Sequence, residues 1–302
     1  MLWLTITILA YFILAVVFLV DKYLLVSALP NPKIYAFLIG IAGILLLILV
    51  PFIDFYVPSI KQLILSFFAG ASFILALYWF YKALQNFAVS QIVPAIGALS
   101  PLFTFGLVYI SSLGKEVPSF REILSIVLLI AGAVLITIEK GKTITGKSLK
   151  LSFLAALFFS LSFVLTKYVY LEQSFLNGLI WTRLGGALVA LIFFFIWPDI
   201  KKELFCQKDD FKKKSLGILI LNQAAGAGAG LLQNWAIALV PLISVAFINA
   251  LQGVQYVFLL VLSIFLSFKF PQILKEQMAK EIIIQRIVAV LLIGGGLVLL
   301  AL

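Results

Sequence analysis

The sequence predicts an all-α membrane protein with ten transmembrane helices, arranged as two inverted five-helix repeats. Three observations carry this expectation. Of its 302 residues 64% are apolar and 11% charged, with a mean hydropathy of +1.21, whereas soluble domains run at about half apolar and a quarter charged. The apolar residues form ten runs of spanning length, at roughly 20 residues per span. The second half of the chain also resembles the first at a long offset.

In chain order the runs are Leu2 to Val26, Ile34 to Ile53, Leu63 to Leu84, Val89 to Leu113 and Ile123 to Ile138, then Leu151 to Leu171, Leu176 to Trp197, Ser215 to Val240, Leu242 to Phe268 and Ile282 to Leu302. Runs so uniformly apolar satisfy their backbone hydrogen bonds in hydrocarbon only as helices, since barrel strands would alternate. Val26-Ser27-Ala28 loosely resembles a signal-peptide cleavage site. The first run nevertheless lacks a basic leader, is longer than a signal core, and has a counterpart later in the chain. Gln85 to Ala88 and Pro241 are minimal connections, which force antiparallel neighbours. The longest polar segments, Glu139 to Lys150 and Pro198 to Lys214, are too short for a soluble domain.

A shift of 145 residues lays Ala10 on Ala155, Phe18 on Phe163, Lys22-Tyr23 on Lys167-Tyr168 and Gly40 on Gly185. With a larger offset, Ile130-Ala131-Gly132-Ala133-Val134 lies over Ile293-Gly294-Gly295-Gly296-Leu297. Apolar runs match one another by chance, but a Lys-Tyr pair near the end of the first helix of both halves is a rarer coincidence. The expected units are residues 1–141 and 142–302. Five helices per unit is an odd number, so the second copy enters the membrane upside down, an architecture shared by many secondary transporters.

The net charge of +10 resides in short tracts between apolar runs and forms no basic stripe with interleaved aromatics. It reads as topology signal and anionic-lipid contact, and no nucleic-acid partner is expected. Cys206 is the single cysteine and histidine is absent. No intrachain disulfide can form, and the usual zinc ligand and general base are missing. No metal, cofactor or enzymatic activity is expected. Loops after odd-numbered helices carry 14 Lys or Arg residues against 3 after even-numbered ones, which puts both termini outside.

Polar side chains inside a span cost about 2.5 to 3.5 kcal/mol when charged, so each asks for a partner or an aqueous cavity. Arg183 is the residue least able to snorkel. It holds an anionic substrate group in one reading and pairs with a carbonyl or carboxylate in the other. Asp21-Lys22 and Lys167 lie nearer helix ends, where a lysine reaches the interface. Gating or substrate contact is the alternative for these two lysines.

On the eighth span Asn222, Gly226, Gly230 and Asn234 recur every fourth residue and share a face, flanked by Gln223 and Gln233. The ninth carries Asn249, Gln252, Gln255 and Tyr256. Interhelical glue explains such amides in part; a whole stripe favours an aqueous cavity between these two helices. In the first half Tyr78 and Trp79 occupy the corresponding third helix, as packing or as part of a substrate cage. The small-residue runs Ala131-Gly132-Ala133 and Gly294-Gly295-Gly296 read as close packing of the fifth and tenth helices.

Phe18-Leu19-Val20-Asp21-Lys22 and Phe163-Val164-Leu165-Thr166-Lys167, together with Trp181-Thr182-Arg183-Leu184 and Leu113-Gly114-Lys115-Glu116, resemble the EamA-like transporters of the drug/metabolite transporter superfamily. They are similar to that family's first-helix lysine, second-helix arginine and Leu-Gly-Glu loop. The chain departs from the pattern at Leu14-Ala15 and Phe159-Ser160, where the family has Trp-Gly, and at Leu38, where it has arginine. The resemblance implies ten helices with the first, third and fourth of each half lining a central cavity, and both termini in the cytoplasm, against the loop charges.

The expected function is secondary transport or export of a small polar metabolite by alternating access in the plasma membrane. Its site would comprise Asn222, Gln223, Gln233, Asn234, Asn249, Gln252, Gln255 and Tyr256, with Arg183, Lys167, Lys22, Tyr78 and Trp79. No carboxylate is expected in mid-span, so facilitated diffusion or exchange stands beside proton antiport. Translocation of a lipid-linked or amphipathic substrate is the alternative, and a non-transporting scaffold the alternative of another class. The partners expected are the lipid bilayer, an unidentified small molecule and, in a homodimer, a second copy of the chain.

Overall fold

The computed structural model describes residues 2–27, 31–87, 89–137, 145–205, 213–269 and 280–301. Cys206 and the expected boundary between residues 141 and 142 lie outside the described residues. All regular structure among those residues is helical. Helix α1 spans Leu2–Ser27 and α2 Pro32–Ala42, which tightens into a 3-10 helix over Gly43–Phe52. Then come α3 (Ile60–Asn86), α4 (Val89–Ser111), α5 (Phe120–Thr137), α6 (Gly146–Glu172), α7 (Phe175–Ile196) and the short α8 (Pro198–Phe205). The chain closes with α9 (Lys213–Leu239), α10 (Val245–Ala250), α11 (Gln252–Lys269) and α12 (Lys280–Ala301).

Among the described residues, six stretches are long and apolar enough to cross a membrane: Leu2–Leu25, Pro32–Phe52, Ile60–Asn86, Ile92–Ser111, Gly146–Glu172 and Phe175–Ile196. The chain is therefore a membrane-embedded, all-helical protein. Large apolar side chains such as Leu45, Phe68 and Leu221, exposed at 65%, 62% and 73%, are suited to face acyl chains rather than water. The other expected spans fall on α5, α9, the α10–α11 pair and α12.

Local chemistry sets the helix ends. Asn31 caps α2 by accepting the Lys33 N–H at 3.1 Å, and Pro32 follows at a position where its missing N–H costs nothing. Ser119 and Glu122 form a reciprocal capping box before α5, with contacts of 2.7 and 3.3 Å. After α4 the chain turns through Leu113 and Gly114, both at positive φ, as the Gly114 N–H donates to the Tyr109 carbonyl at 2.9 Å. This is a Schellman-type stop. It gives the Leu113-Gly114 pair a structural role.

The ninth expected span is not one helix. It breaks at Leu251, between α10 and α11, where the Val254 N–H donates to the Leu251 carbonyl at 2.9 Å and closes a tight turn. Nothing in the apolar pattern marks the break, which no proline causes.

Packing exchanges partners across the chain. Helix α1 lies along α9 and α11, while α6 lies along α3 and α4. Helices α5 and α12 form a separate close pair, and the Ser125 hydroxyl donates to the Gly296 carbonyl across it at 2.7 Å. Helices α3 and α7 approach most closely at Gly70 and Gly185. A Cβ on Gly70 would stand 1.9 Å from the Thr182 carbonyl oxygen, and one on Gly185 would stand 2.5 Å from Phe67 Cα. Only glycine fits at either place, and Thr182, whose carbonyl meets Gly70, is the residue next to Arg183.

Candidate functional site

Helices α2, α3, α6, α7 and α9 meet around a cavity into which Arg183 projects. Its guanidinium lies 4.9 Å from the Phe73 ring centre, a cation–π contact. A Cβ on Gly230 would be 3.4 Å from Arg183 Nη2, so the absence of a side chain there leaves room for the cation against α9. No carboxylate stands within ion-pair distance of Arg183 among the described residues, where the single ion pair is Lys33–Asp199, at 2.8 Å. No hydrogen-bond acceptor engages the guanidinium among those residues either.

The polar lining opposite comes from α9 and α6. Tyr170 donates to Asn234 Oδ1 at 2.9 Å, and Asn234 Nδ2 donates to the Gly230 carbonyl at 2.8 Å. Gln233, Thr166 and Ser162 also line the space. Traced by the centre of a water molecule, the cavity is about 30 Å3, room for about two waters. A metabolite needs more space than this conformation offers.

A second polar cluster lies about 18 Å along α9 from Asn234, given 1.5 Å per residue. Asn222 Nδ2 donates to Asp21 Oδ1 at 2.8 Å and to the Val17 carbonyl at 3.3 Å; Gln223 Nε2 reaches the same carboxylate oxygen at 3.3 Å. Tyr81 donates to Asp21 Oδ2 at 3.2 Å. Asp21 is 0% exposed. The sequence places Asp21 near the end of its helix, and the structure adds that its carboxylate is buried there against α3 and α9. Asp21 is the residue the amino-acid pattern undervalued. Val17, Leu24 and Leu25, three to four residues away on its own face, are all buried, and that spacing was the available signal.

Both repeated lysines are hydrogen-bonded to backbone carbonyls at helix ends. Lys22 Nζ donates to the Leu84 carbonyl and, at 2.9 Å, to that of Phe87, tying down the end of α3. Lys167 Nζ donates to the Ala238 carbonyl at 3.1 Å and does the same for α9. A cation over the last carbonyls of a helix meets both their lone pairs and the negative end of the helix dipole.

The expected cavity between the eighth and ninth spans takes another form, because α1 packs against both α9 and α11. The amides are consequently divided. Asn222 and Gln223 serve Asp21, while Gln233 and Asn234 serve the Arg183 cavity. Asn249 donates to Thr104 Oγ1, Tyr256 donates to the Val93 carbonyl at 2.6 Å, and Gln252 sits near Gly97 on α4. Gln255 is fully buried with neither amide atom paired among the described residues. Tyr78 and Trp79 lie apart from all of these, beside Lys82, whose Nζ is 5.3 and 5.0 Å from their ring centres. Trp197 is 5.1 Å from Tyr78. Such an aromatic and lysine group suits a membrane–water interface.

No family model and no curated protein matches the chain. A solved crystal structure of a protein is similar over 99% of this chain and 94% of its own, with a TM-score of 0.62 and 15% identity. At that identity the likeness concerns the fold alone.

Proposed function

We propose that this protein is a secondary transporter that moves a small polar metabolite bearing an anionic group, by alternating access between two inverted five-helix halves. In this reading ten helices cross the plasma membrane, and the chain is an EamA-like member of the drug/metabolite transporter superfamily. The carrying observation is Arg183, a cation inside the helical bundle with no carboxylate or acceptor among the described residues, beside a polar cavity. A charge left in that state is costly, and a carboxylate or phosphate group offers two oxygens to the planar, bidentate fork of a guanidinium.

The packing supports the two-halves reading. The first helix of each expected half, α1 or α6, lies along the third and fourth of the other, and in each half a lysine from the first helix ties down the end of the third. Rocking of one half on the other would enlarge a cavity that now holds about two waters.

The test is a thermal-stability screen of the purified protein against amino acids, sugars, nucleotides and lipid phosphates, followed by uptake of any stabilising compound into proteoliposomes. The expected ligand is an anion. At 100 times its Kd it stabilises the fold by about 2.7 kcal/mol, and the effect is lost in Arg183→Met. If stabilisation survives that substitution, or only neutral solutes stabilise, the assignment of Arg183 is wrong.

A further inference from the structure

Asp21 takes no part in the Arg183 cavity, yet it is the more completely enclosed of the two charged side chains. Among the described residues every hydrogen-bond partner of its carboxylate is a donor. Oδ1 receives the Asn222 and Gln223 amides at 2.8 and 3.3 Å, and Oδ2 receives the Tyr81 hydroxyl at 3.2 Å. The second contact of Asn222, with the Val17 carbonyl at 3.3 Å, requires the amide nitrogen on that side, so the donor assignment is not arbitrary. No lysine or arginine lies within ion-pair distance among the described residues. Lys22, next in sequence, turns its Nζ to the α3 carbonyls.

Among the described residues the titratable groups nearest Asp21 are Lys22 on its own helix, Tyr35 from α2 and Tyr81 from α3, while α9 contributes the amides of Asn222 and Gln223. The Tyr35 ring is 4.8 Å from that of Tyr81. The Tyr35 hydroxyl is buried with no hydrogen-bond partner among the described residues.

A carboxylate enclosed without a counter-ion is neutralised by a metal cation or by a proton. A metal requires oxygen ligands turned inward, whereas here three hydrogens point at the carboxylate. A proton requires only one acceptor, because a protonated carboxyl donates a single hydrogen bond. Tyr35 Oη is an acceptor with both lone pairs free.

We infer that Asp21 is a proton-exchange site, whose proton occupancy changes how α1 packs against α3 and α9. Ionised, it accepts from all three donors and draws the helices together. Protonated, it releases one of those contacts and donates instead, to the Tyr35 hydroxyl. Resting on the transport reading, this makes the solute movement proton-coupled, with the proton and solute sites at different levels of α9.

The experiment uses the full-length protein in lipid nanodiscs. Infrared difference spectra between acidic and alkaline buffer should show a reversible band from a buried protonated carboxyl, lost in Asp21→Asn and shifted in both Tyr35→Phe and Tyr81→Phe. The two tyrosine variants keep the carboxyl, so the measurement stands even if Asp21→Asn fails to fold. Absence of the band, its persistence in Asp21→Asn, its indifference to both tyrosines, or an appearance set by sodium rather than by pH each overturns the proposal.

For coupling, Gly226→Cys in a Cys206→Ser background places a thiol one turn from Asn222. Its labelling rate, divided by that of the same cysteine with Asp21→Asn to cancel the titration of the thiol, should change by about fivefold or more across the pH range. A flat ratio overturns the coupling. If the band titrates while no solute ever stabilises the protein, the transport reading fails and the proton site stands. The reverse pattern removes only the proton site.

Discussion

Three lysines show how burial sets the worth of a cation. Lys33 pairs with Asp199 where their side chains are 27% and 65% exposed, so solvent screens most of the attraction. Lys167 is 4% exposed and holds the Ala238 carbonyl at the end of α9. Removing its ammonium strands an acceptor where no water replaces it. Lys167→Met should therefore lower stability by about 1.5 to 3 kcal/mol, and Lys22→Met should act in the same direction through the end of α3. Lys33→Met should cost below about 1 kcal/mol. Thermal unfolding of the three variants in detergent decides this, and equal losses would mean that the buried contacts contribute no more than the exposed ion pair.

At the level of elements, close helix crossings depend on what a single methyl group would meet. Gly70→Ala sets a carbon 1.9 Å from the Thr182 carbonyl oxygen, so α3 and α7 must separate, and Arg183 on α7 moves with its helix. The expected cost is about 1 to 3 kcal/mol, seen as a lower unfolding midpoint or a broadened gel-filtration peak. Gly228→Ala is the contrasting case on α9, with nothing within 4 Å of the added carbon. There the gain in helix propensity, up to about 1 kcal/mol, should raise the midpoint. A similar fall in both would show that helix flexibility rather than the crossing controls stability.

For the whole molecule, the packing of α1 along α9 and of α3 along α6 offers two seams on which the proposed halves would move. A Cβ at Gly226 would stand 3.5 Å from Val17 Cγ1, which puts the two positions in side-chain contact across the seam. Val17→Cys with Gly226→Cys, in the Cys206→Ser background, should therefore form a bond across the first seam. Oxidised, the protein should lose uptake of whichever anion the stability screen identifies, and reductant should restore it. Unchanged uptake by a fully cross-linked sample would rule out opening along α1 and α9.

Much of this molecule was legible in the order of its amino acids. A long uniform apolar run has one way to satisfy its backbone in lipid, so helicity and membrane residence follow from composition, and the depth of Arg183 follows from its position in the run. The sequence also marked Asn222 to Asn234 as one polar face, because residues four apart share a side of any helix. Only the tertiary structure decided what each part of that face meets. Helix α1 comes between α9 and α11, dividing the amides between a carboxylate and a cation. The same packing encloses Asp21 and gives Lys22 and Lys167 carbonyl partners at the ends of α3 and α9. Period and hydropathy describe one helix at a time, whereas burial and partnership belong to pairs of helices, and their pairing is settled by which side chains permit close approach.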